Sequence, residues 1–269
     1  MAEILVPFLK WAGGKRWLAN SCRNLFPEIT GRHIEPFAGS AAMFFALQTD
    51  SAIIADINDK LIETYIVIRD DVDKFIRHFR WFARNHSEEF YYKTRQQQFR
   101  SATKRAAQFV YLNRVCFNGI YRENLKGEFN VPLGSKTSVT LGTDDFRAVS
   151  ALLQRAELLT SDFEYVVDMA GEGDLLYVDP PYTTKHNYNG FVKYNQNIFS
   201  WEDQARLASS VKRAHHRGAQ IIVSNADHTD VRALYADQFS IRSIERINVI
   251  ASKSRYRGTT TEMVATNVR

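Results

Sequence analysis

The tetrapeptide Asp179-Pro180-Pro181-Tyr182 directly follows an apolar run at residues 175–178. A short apolar run that ends at a turn signal predicts a buried strand. Two consecutive prolines end the strand, because proline has a fixed φ and no N–H for strand pairing. In open α/β sheets, ligands bind at the carboxyl ends of the strands. The sequence therefore predicts an α/β fold that holds Asp179 and Tyr182 in one loop at such a strand end.

This loop is suited to methyl transfer to an amino group conjugated with a ring. Such a nitrogen is a weak nucleophile because its lone pair is delocalised, so acceptors must draw its hydrogens out of the ring plane. Asp179 and the carbonyl of Pro180 are the predicted acceptor pair, a preorganised electrostatic arrangement. The donor methyl would have to lie in line with the nitrogen, and Tyr182 would stack on the ring. Taken alone, the tetrapeptide is also compatible with an ordinary β-turn, since Asp and Pro are common turn residues.

Composition and charge indicate a globular protein with a polyanionic partner. The chain has 269 residues, of which 45% are hydrophobic, enough for one large α/β domain or a domain with an insert. Residues 61–140 contain 14 Lys or Arg against 8 Asp or Glu, which gives this segment a net charge of +6. The other residues carry −1, so that the net charge of the chain is +5. A basic segment on a nearly neutral body favours a polyanion, although solvated helix faces are the commoner source of such charge.

The cysteines and the apolar segments predict a compartment. Cys22 and Cys116 show neither a metal-ligand spacing nor a disulfide framework, which predicts no metal site and a reducing environment. Pro7 and Lys10 interrupt the first apolar run, so no signal peptide is predicted. No apolar stretch reaches the roughly 18 residues of a membrane span. We therefore expect a soluble protein of the cytoplasm, acting on nucleoid or host-cell DNA if DNA is its partner.

The first third of the chain has the pattern of a nucleotide-binding βαβ unit. A short strand at residues 33–37 meets a turn of small residues at 38–41, a helix is predicted over 42–48, and a second strand over 52–55 ends at Asp56. In such units the turn meets the ligand and an acidic residue after the second strand accepts the ribose hydroxyls. For Asp56 alone, capping of the following helix is an equal alternative.

The middle of the chain has a different pattern. From residue 59 to about Asn113, aromatic and charged residues recur at helical spacing, and Gly- and Asn-rich segments follow. A hairpin is predicted to turn on Lys126-Gly127 and to end at the rigid Pro132. The predicted domains are residues 1–58 with 156–269, which form the catalytic domain, and residues 59–155, which are inserted into it.

The last third resumes the α/β alternation. Ser200, with Asp203 three residues later, predicts a capped helix that extends through His216. A strand is predicted over 220–224. Two extended runs, at 240–250 and 262–267, complete the chain and are joined by a basic loop at 253–258.

Seven motifs occur in a fixed order along the chain. They are F-L-K-W-A-G-G-K at 8–15, E-P-F-x-G at 35–39, A-D-I-N at 55–58, L-N-R at 112–114, N-G-I-x-R at 118–122, G-E-F-N-V-P at 127–132, and D-P-P-Y. With these motifs the chain resembles the Dam-type DNA adenine N6-methyltransferases, which act on GATC. The resemblance extends over nearly the whole chain.

The resemblance implies a fold, a cofactor and a partner. The fold class would be α/β, with a Rossmann-like methyltransferase sheet, mostly parallel with an antiparallel C-terminal strand, and an inserted, mainly helical DNA-recognition domain that carries a β-hairpin. The cofactor would be S-adenosyl-L-methionine. The partner would be double-stranded DNA, from which the target adenine is flipped, and the protein would act as a monomer without a metal.

The resemblance also implies residue roles. The catalytic residues would be Asp179, Pro180 and Tyr182. The cofactor would contact Trp11, Ala12, Gly13, Lys15, Phe37, Gly39, Asp56, Asp162 and Asp179. The DNA would contact Lys10, Arg114, Phe117, Asn118, Ile120, Arg122 and Pro132.

Several of the DNA assignments have a physical basis. Arg122 can donate two hydrogen bonds to O6 and N7 of a guanine, while Ile120 and Pro132 can contact a thymine methyl group. Phe117 can wedge into the base stack as the adenine leaves it. Burial in the core is the alternative for Phe117.

The sequence departs from the family pattern at three positions. Ala41 stands where the family often has a second glycine, Phe117 replaces a tyrosine, and Ile120 replaces a leucine. Because the shapes are nearly kept, the same base preference is expected. Two other functions stay open: a D-P-P-Y methyltransferase with another acceptor (RNA, cytosine N4 or a protein glutamine), and a non-catalytic DNA-binding relative.

Overall fold

A computed structural model describes residues 5–11, 13–15, 17–18, 26–124, 127–135, 138–183, 199–247 and 259–268. The strands within these ranges are β1 (His33–Glu35), β2 (Ala52–Asp56), β3 (Ala156–Thr160), β4 (Leu175–Val178), β5 (Gln220–Ala226), β6 (Ser240–Ile247) and β7 (Thr259–Thr266). The helices are α1 (Ala42–Leu47), α2 (Asp59–Asp70), α3 (Val72–Arg84), α4 (Glu88–Gln96), α5 (Ala102–Val115), α6 (Phe146–Leu153), α7 (Phe163–Asp168), α8 (Trp201–His216) and α9 (Thr229–Ala233).

The strands form a seven-stranded sheet in the order β3-β2-β1-β4-β5-β7-β6. The pairs β2–β3, β1–β4 and β4–β5 are parallel, whereas β7 is antiparallel to both β5 and β6. The predicted mixed α/β class, mostly parallel with antiparallel pairing at the C-terminal end, is confirmed. β1 is two residues shorter than predicted, since Pro36 has no N–H with which to extend the ladder.

The chain divides into two compact units. The first comprises Met1–Arg23 and Ala38–Thr160, and the second comprises Asn24–Phe37 and Ser161–Arg269. These units are defined by compact packing and not by function. The division into a catalytic domain and an inserted domain therefore stays a prediction.

The core of the first unit is aromatic. α3 buries Phe75, Phe79 and Phe82, whose spacing of four and three residues places them on one helix face. Phe75 and Phe146 pack edge to face with ring centroids 4.9 Å apart. α5 is buried over most of its surface, including two polar residues, Asn113 and Arg114. The predicted helical region up to Asn113 consists of four helices, α2 to α5.

In the second unit, the strand before the D-P-P-Y loop is the centre of the packing. All four residues of β4 are buried, as expected for a parallel strand covered on both faces. α8 begins with the predicted capping box, in which Ser200 and Asp203 each accept the other's backbone N–H. Among the described residues, no helix is both long and apolar enough to cross a membrane.

Candidate active site and DNA-recognition surface

The D-P-P-Y loop leaves the carboxyl end of β4, as predicted. Val178, the last residue of β4, pairs in parallel register with Val223 of β5. Pro180 is buried, whereas Asp179 and Tyr182 are partly exposed. The Tyr182 hydroxyl lies 3.4 Å from that of Ser224 on β5. The strand end therefore presents a carboxylate and an aromatic ring in a fixed loop.

Buried polar residues that the sequence analysis missed anchor this loop. The Gln204 side-chain amide lies 3.5 Å from the carbonyl oxygen of Pro181, and it accepts a hydrogen bond of 3.0 Å from Asn225 Nδ2. The Thr183 hydroxyl donates to the carbonyl of Phe199 at 2.7 Å. Gln204 and Asn225 are fully buried. The signal in the sequence was a polar pair, Ser224-Asn225, at the end of an otherwise apolar strand.

The strands below the loop carry buried titratable groups. Burial, and then the negative charge of Asp179, raise the pKa of Tyr177 well above its ordinary value, so that this phenol stays neutral. Burial also lowers the pKa of His33 to about 3, which keeps the imidazole neutral. Glu35 and Glu262 are buried in the same unit, 2% and 3% exposed. The side chains next to the loop are therefore shielded from water, and in such surroundings the charge of a carboxylate interacts strongly with neighbouring groups.

In the first unit, a tight turn before α1 is fixed by Asp56 at the end of β2. The Asp56 carboxylate accepts the N–H of Gly39 on Oδ2 and that of Asn58 on Oδ1, both at 3.0 Å. Gly39 and Ala41 adopt positive φ values of 47° and 50°. Burial raises the pKa of Asp56, and the backbone hydrogen bonds oppose that shift. Asp56 is therefore a positioned acceptor, as predicted for the second strand end.

The motif around Trp11 covers this turn. A Cβ atom added to Gly39 would come within 2.6 Å of Trp11 Cδ1, so only glycine fits below the indole. Gly13 has a φ of 79°, and its carbonyl accepts a hydrogen bond of 2.9 Å from the buried Lys15 ammonium. Ala12, the remaining predicted cofactor residue of the motif, lies outside the described residues.

These residues fit the ribose of S-adenosylmethionine. Asp56 accepts backbone N–H groups on both oxygens, and an ionised carboxylate has about four lone-pair sites, so that one remains to accept a hydroxyl. Gly39 is buried, and the Trp11 indole fills the space where its side chain would otherwise stand. Vicinal hydroxyls are groups that the Asp56 carboxylate can accept.

In the second unit, Phe37 packs on Phe163, and Asp162 is the residue that caps the helix beginning at Phe163. Phe37 stacks on Phe163 with ring centroids 5.4 Å apart, and Arg206 lies 4.1 Å above the centroid of the same ring. Arg206 also binds both oxygens of Asp162, at 2.7 and 2.9 Å, and these hydrogen bonds lower the pKa of Asp162. Sequence reasoning found Phe37 and Asp162 but missed Arg206, which is 44 positions away.

The described residues of the predicted hairpin region are mostly exposed or partly exposed, and Val131 is buried. Glu123 pairs with Phe129 in a β-bridge, and Asn124 N–H donates to the Glu128 carbonyl at 2.9 Å. Lys126, on which the hairpin was predicted to turn, lies outside the described residues. The Arg122 side chain is exposed and donates to Asn130 Oδ1 at 3.0 Å.

Phe117 begins a short 3-10 turn, Phe117–Gly119, in which Asn118 has a φ of 56°. The backbone N–H of Phe117 donates to the carbonyl of Pro132 at 2.9 Å, which brings two residues with predicted DNA contacts together. The Phe117 side chain is 52% exposed, so the core alternative does not hold. Asn118 and Pro132 are also exposed and Ile120 is partly exposed.

Arg114 requires a correction. It was predicted to contact DNA, but it is 1% exposed and its guanidinium donates to both Asp144 oxygens, at 2.7 and 3.2 Å. Its Nε donates to the Phe8 carbonyl at 2.7 Å. DNA at the protein surface cannot reach a side chain that is buried and hydrogen-bonded to Asp144 and Phe8, so Arg114 is a structural residue. The sequence places Arg114 in the last turn of a helix, but it does not show whether the side chain faces the core or the solvent.

The described residues contain no group of three or more His, Cys, Asp or Glu that could hold a metal ion.

Comparison with known proteins identifies the family. The family model of the D12 class N6 adenine-specific DNA methyltransferases matches residues 11–250. The type II methyltransferase M1.LlaDCHI of Lactococcus lactis subsp. cremoris is 36% identical over 98% of this chain and 95% of its own length. The type II methyltransferase M.MjaIII of Methanocaldococcus jannaschii is 34% identical over 92% and 93%. The DNA adenine methylase of Haemophilus influenzae is 34% identical over 85% and 82%.

The mostly parallel sheet and the loop at the end of β4 define an enzyme of the Rossmann-like methyltransferase class. The chain belongs to the D12 class of N6 adenine-specific DNA methyltransferases. The methyl donor of this family is S-adenosylmethionine and its substrate is DNA, which confirms the predicted family, enzyme class and cofactor.

Proposed function

We propose that this enzyme methylates N6 of adenine in GATC, after flipping the base out of duplex DNA. The observation that carries the proposal is the D-P-P-Y loop at the end of β4, anchored by Gln204 and braced at Tyr182 by Ser224. Asp179 and the carbonyl of Pro180 accept the two N6 hydrogens, and Tyr182 stacks on the flipped adenine. S-adenosylmethionine supplies the methyl group. An ordinary carboxylate is a weak base, so Asp179 orients the amine and does not deprotonate it before the transfer. As the N6–CH3 bond forms, the S–CH3 bond breaks and S-adenosylhomocysteine leaves; the methylated nitrogen is then cationic and acidic enough to lose its extra proton to the carboxylate or to water.

The test of the acceptor role is Asp179→Ala. Removal of one preorganised electrostatic partner is expected to lower kcat by at least about 10²- to 10³-fold. DNA binding should persist, as measured by fluorescence anisotropy. The matched control is Asp227→Ala, which removes the carboxylate that follows the neighbouring strand β5 and forms an ion pair with Arg232. A normal methylation rate in Asp179→Ala would show that the mechanism is wrong.

For the cofactor, the proposal assigns the ribose hydroxyls to Asp56. Trp11, Ala12, Gly13 and Lys15 form a segment that closes over the cofactor, and Gly39, which leaves room for the Trp11 indole, shapes the pocket. In the second unit, Phe37 also shapes the pocket, and Asp162 contacts the adenine moiety. The support is the hydrogen-bonded geometry of Asp56 and the close approach of Trp11 to Gly39.

For the DNA, the proposal assigns recognition to residues of the predicted inserted domain, 59–155, together with Lys10. Arg122 binds a guanine, Ile120 and Pro132 contact a thymine methyl, and Phe117 fills the space left by the adenine. The support is the exposure of Arg122, Phe117 and Pro132 and the Phe117–Pro132 hydrogen bond. Asn118, also exposed, completes the surface.

A second candidate for the target sequence has its own support. Two of the relatives are type II methyltransferases, so methylation of a different DNA sequence is the alternative. Methylome sequencing of a host that lacks its own adenine methylation separates the two. Methylated adenines are expected in GATC alone; a different motif would replace GATC without affecting the chemistry, and modified cytosine would contradict the adenine acceptor.

We also propose that the enzyme is a monomer in solution and acts in the cytoplasm, on nucleoid or host-cell DNA. Its DNA substrate supports the location, and the D-P-P-Y loop takes its anchors from the same chain. Analytical ultracentrifugation with and without a GATC duplex tests the stoichiometry, for which a 1:1 complex is expected.

A further inference from the structure

Asn113, which has no role in the proposed function, joins two segments of the first unit. Its Oδ1 accepts the Lys10 N–H at 2.9 Å, and its Nδ2 donates to the Lys10 carbonyl at 2.7 Å and to the Gly119 carbonyl at 3.3 Å. The side chain is fully buried. One amide therefore satisfies both backbone groups of Lys10 and binds them to the turn that begins at Phe117.

The Lys10 side chain packs against the same turn. Its ammonium donates to the Arg114 carbonyl at 2.9 Å, and a Cβ atom on Gly119 would come within 2.5 Å of Lys10 Cδ. Gly119 has a φ of 66°, a conformation that also favours glycine. Any movement of the 117–119 turn must therefore move Lys10.

An aromatic stack forms the second connection. The Trp11 and Tyr121 rings are nearly parallel, 12° apart, with centroids at 6.1 Å, and Phe109 packs on Tyr121 at 4.4 Å. Trp11 is also the residue that lies on the Gly39 turn. Its ring therefore contacts the cofactor turn and the residue immediately before Arg122.

We propose that Asn113 and Tyr121 are positioning residues that couple cofactor binding to target recognition. The ligands are those of the proposed function, on which the inference rests. The shared element is Lys10-Trp11. The cofactor orders Trp11 over the Gly39 turn, and the segment 117–122 is ordered with it through the Asn113 hydrogen bonds and the Trp11–Tyr121 stack. A ligand that orders a shared segment lowers the cost of ordering it for the second ligand. Coupling between binding sites is reciprocal, so cognate DNA must tighten cofactor binding by the same factor.

The first test measures this factor by calorimetry with S-adenosylhomocysteine, which does not react. Its Kd is determined alone, with a GATC duplex and with a scrambled duplex. The wild-type ratio of Kd without and with GATC is expected to be about fivefold or more, the lower range for coupled sites. Tyr121→Leu removes the stacked ring and should bring the ratio near 1, whereas Tyr121→Phe keeps the ring and the ratio. Phe90→Leu is the matched control, since it removes a partly buried ring that packs on Phe82 and Tyr111.

The second test measures specificity. Asn113→Ser leaves a polar group too short to reach both segments, and it should lower the ratio of kcat/KM on GATC to that on a one-base variant about tenfold, the scale of about one good base contact. kcat on GATC should change by less than about threefold, since the catalytic loop is untouched. A residue that serves stability alone would lower both rates in proportion and leave their ratio unchanged.

The outcomes separate the inference from the proposed function. A wild-type ratio of 1, or an unchanged ratio in Tyr121→Leu, overturns the inference even if GATC is methylated normally. Failure of the wild type to methylate GATC overturns the proposed target, while the motif found in its place can be used in the same calorimetry. If Tyr121→Leu does not fold, as judged by circular dichroism, Tyr121→Met fills a similar volume without an aromatic face and gives the same decision.

Discussion

Arg114 carries a full charge in the interior of the first unit. Its guanidinium is satisfied by both oxygens of Asp144 and by the backbone carbonyls of Phe8 and Val139. The attraction within a buried ion pair offsets the free-energy cost of desolvating the two charges but adds little net stability. Removal of one partner is costly, because the other charge is then buried without a partner.

Arg114→Met is therefore expected to lower the free energy of unfolding by about 3–5 kcal/mol, because Asp144 loses its buried partner. Urea denaturation measures this change. The double variant Arg114→Met/Asp144→Leu should recover a large part of it. A loss below about 1 kcal/mol in the single variant would show that the pair is solvated.

Asp56 predicts a pH dependence of cofactor binding. Burial raises its pKa above the ordinary value near 3.8, so the folded state favours the protonated form. Its contribution to stability is therefore present at low pH and is lost as the pH rises through the raised pKa. Cofactor binding has the opposite sign, because the ribose hydroxyls donate to the charged form.

The affinity for S-adenosylhomocysteine should accordingly fall as the pH is lowered through the raised pKa of Asp56. Calorimetry between pH 4.5 and 8 measures this fall. In Asp56→Asn the affinity should be about 10- to 100-fold weaker, on the scale of a hydrogen bond to a charged group, and independent of pH over this range. A wild-type Kd with the same pH dependence as that of Asp56→Asn would contradict the ribose assignment.

At the scale of elements, the turn between β1 and α1 depends on backbone geometry more than on side chains. Gly39 needs both a positive φ and the absence of a Cβ atom, since Trp11 stands where that atom would be. Ala41, where the family often has glycine, shows a φ of 50° at the start of α1 and is fully buried. The chain thus tolerates the substitution at 41 by accepting local strain.

Gly39→Ala should weaken cofactor binding at least about tenfold, because displacement of Trp11 disturbs a positioned contact of the kind that costs 1–3 kcal/mol when it is lost. Ala41→Gly is the control in the same turn. It removes strain but adds chain entropy and loses a buried methyl, so its stability should change by less than about 1 kcal/mol. Calorimetry and denaturation measure the two effects, and equal effects at both positions would contradict this account of the turn.

The elements themselves were predictable to different degrees. β4 and the cap of α8 followed from local signals, an apolar run before Pro-Pro and the Ser200/Asp203 pair. The division of the region 59–113 into four helices did not, because its aromatic spacing continues across the breaks. Those breaks are set by caps such as Ser87, whose side chain accepts the Phe90 N–H.

At the scale of the whole molecule, charge governs the encounter with DNA. Several basic residues of the segment 61–140 are engaged in ion pairs, as Arg105 is with Glu63 and Lys74 with Asp71. The acids of these two pairs are already subtracted in the net charge of +6. Arg114 is different, because its partner Asp144 lies outside the segment, and its charge is not available to phosphates.

DNA affinity should fall with salt, with a slope in the log–log plot of roughly −0.9 for each phosphate contacted. The slope should be the same for Arg114→Met as for the wild type, since that guanidinium reaches no phosphate. Anisotropy titrations between 50 and 200 mM NaCl on a GATC duplex measure both slopes. A shallower slope by about one unit in Arg114→Met would restore the original DNA-contact prediction.

The sequence by itself determined the α/β class, the strand ends at Asp56 and Asp179, and the family, because these depend on short-range patterns: strand length, proline, glycine and the order of motifs. Only the tertiary structure decided which polar residues face inward. Arg114 and Phe117 stand three positions apart, yet one is buried against Asp144 and the other is exposed beside Pro132. Gln204, Arg206 and Asn113 acquire partners from segments 21 to 103 residues away. Such long-range contacts follow from packing and leave no periodic signal in the chain.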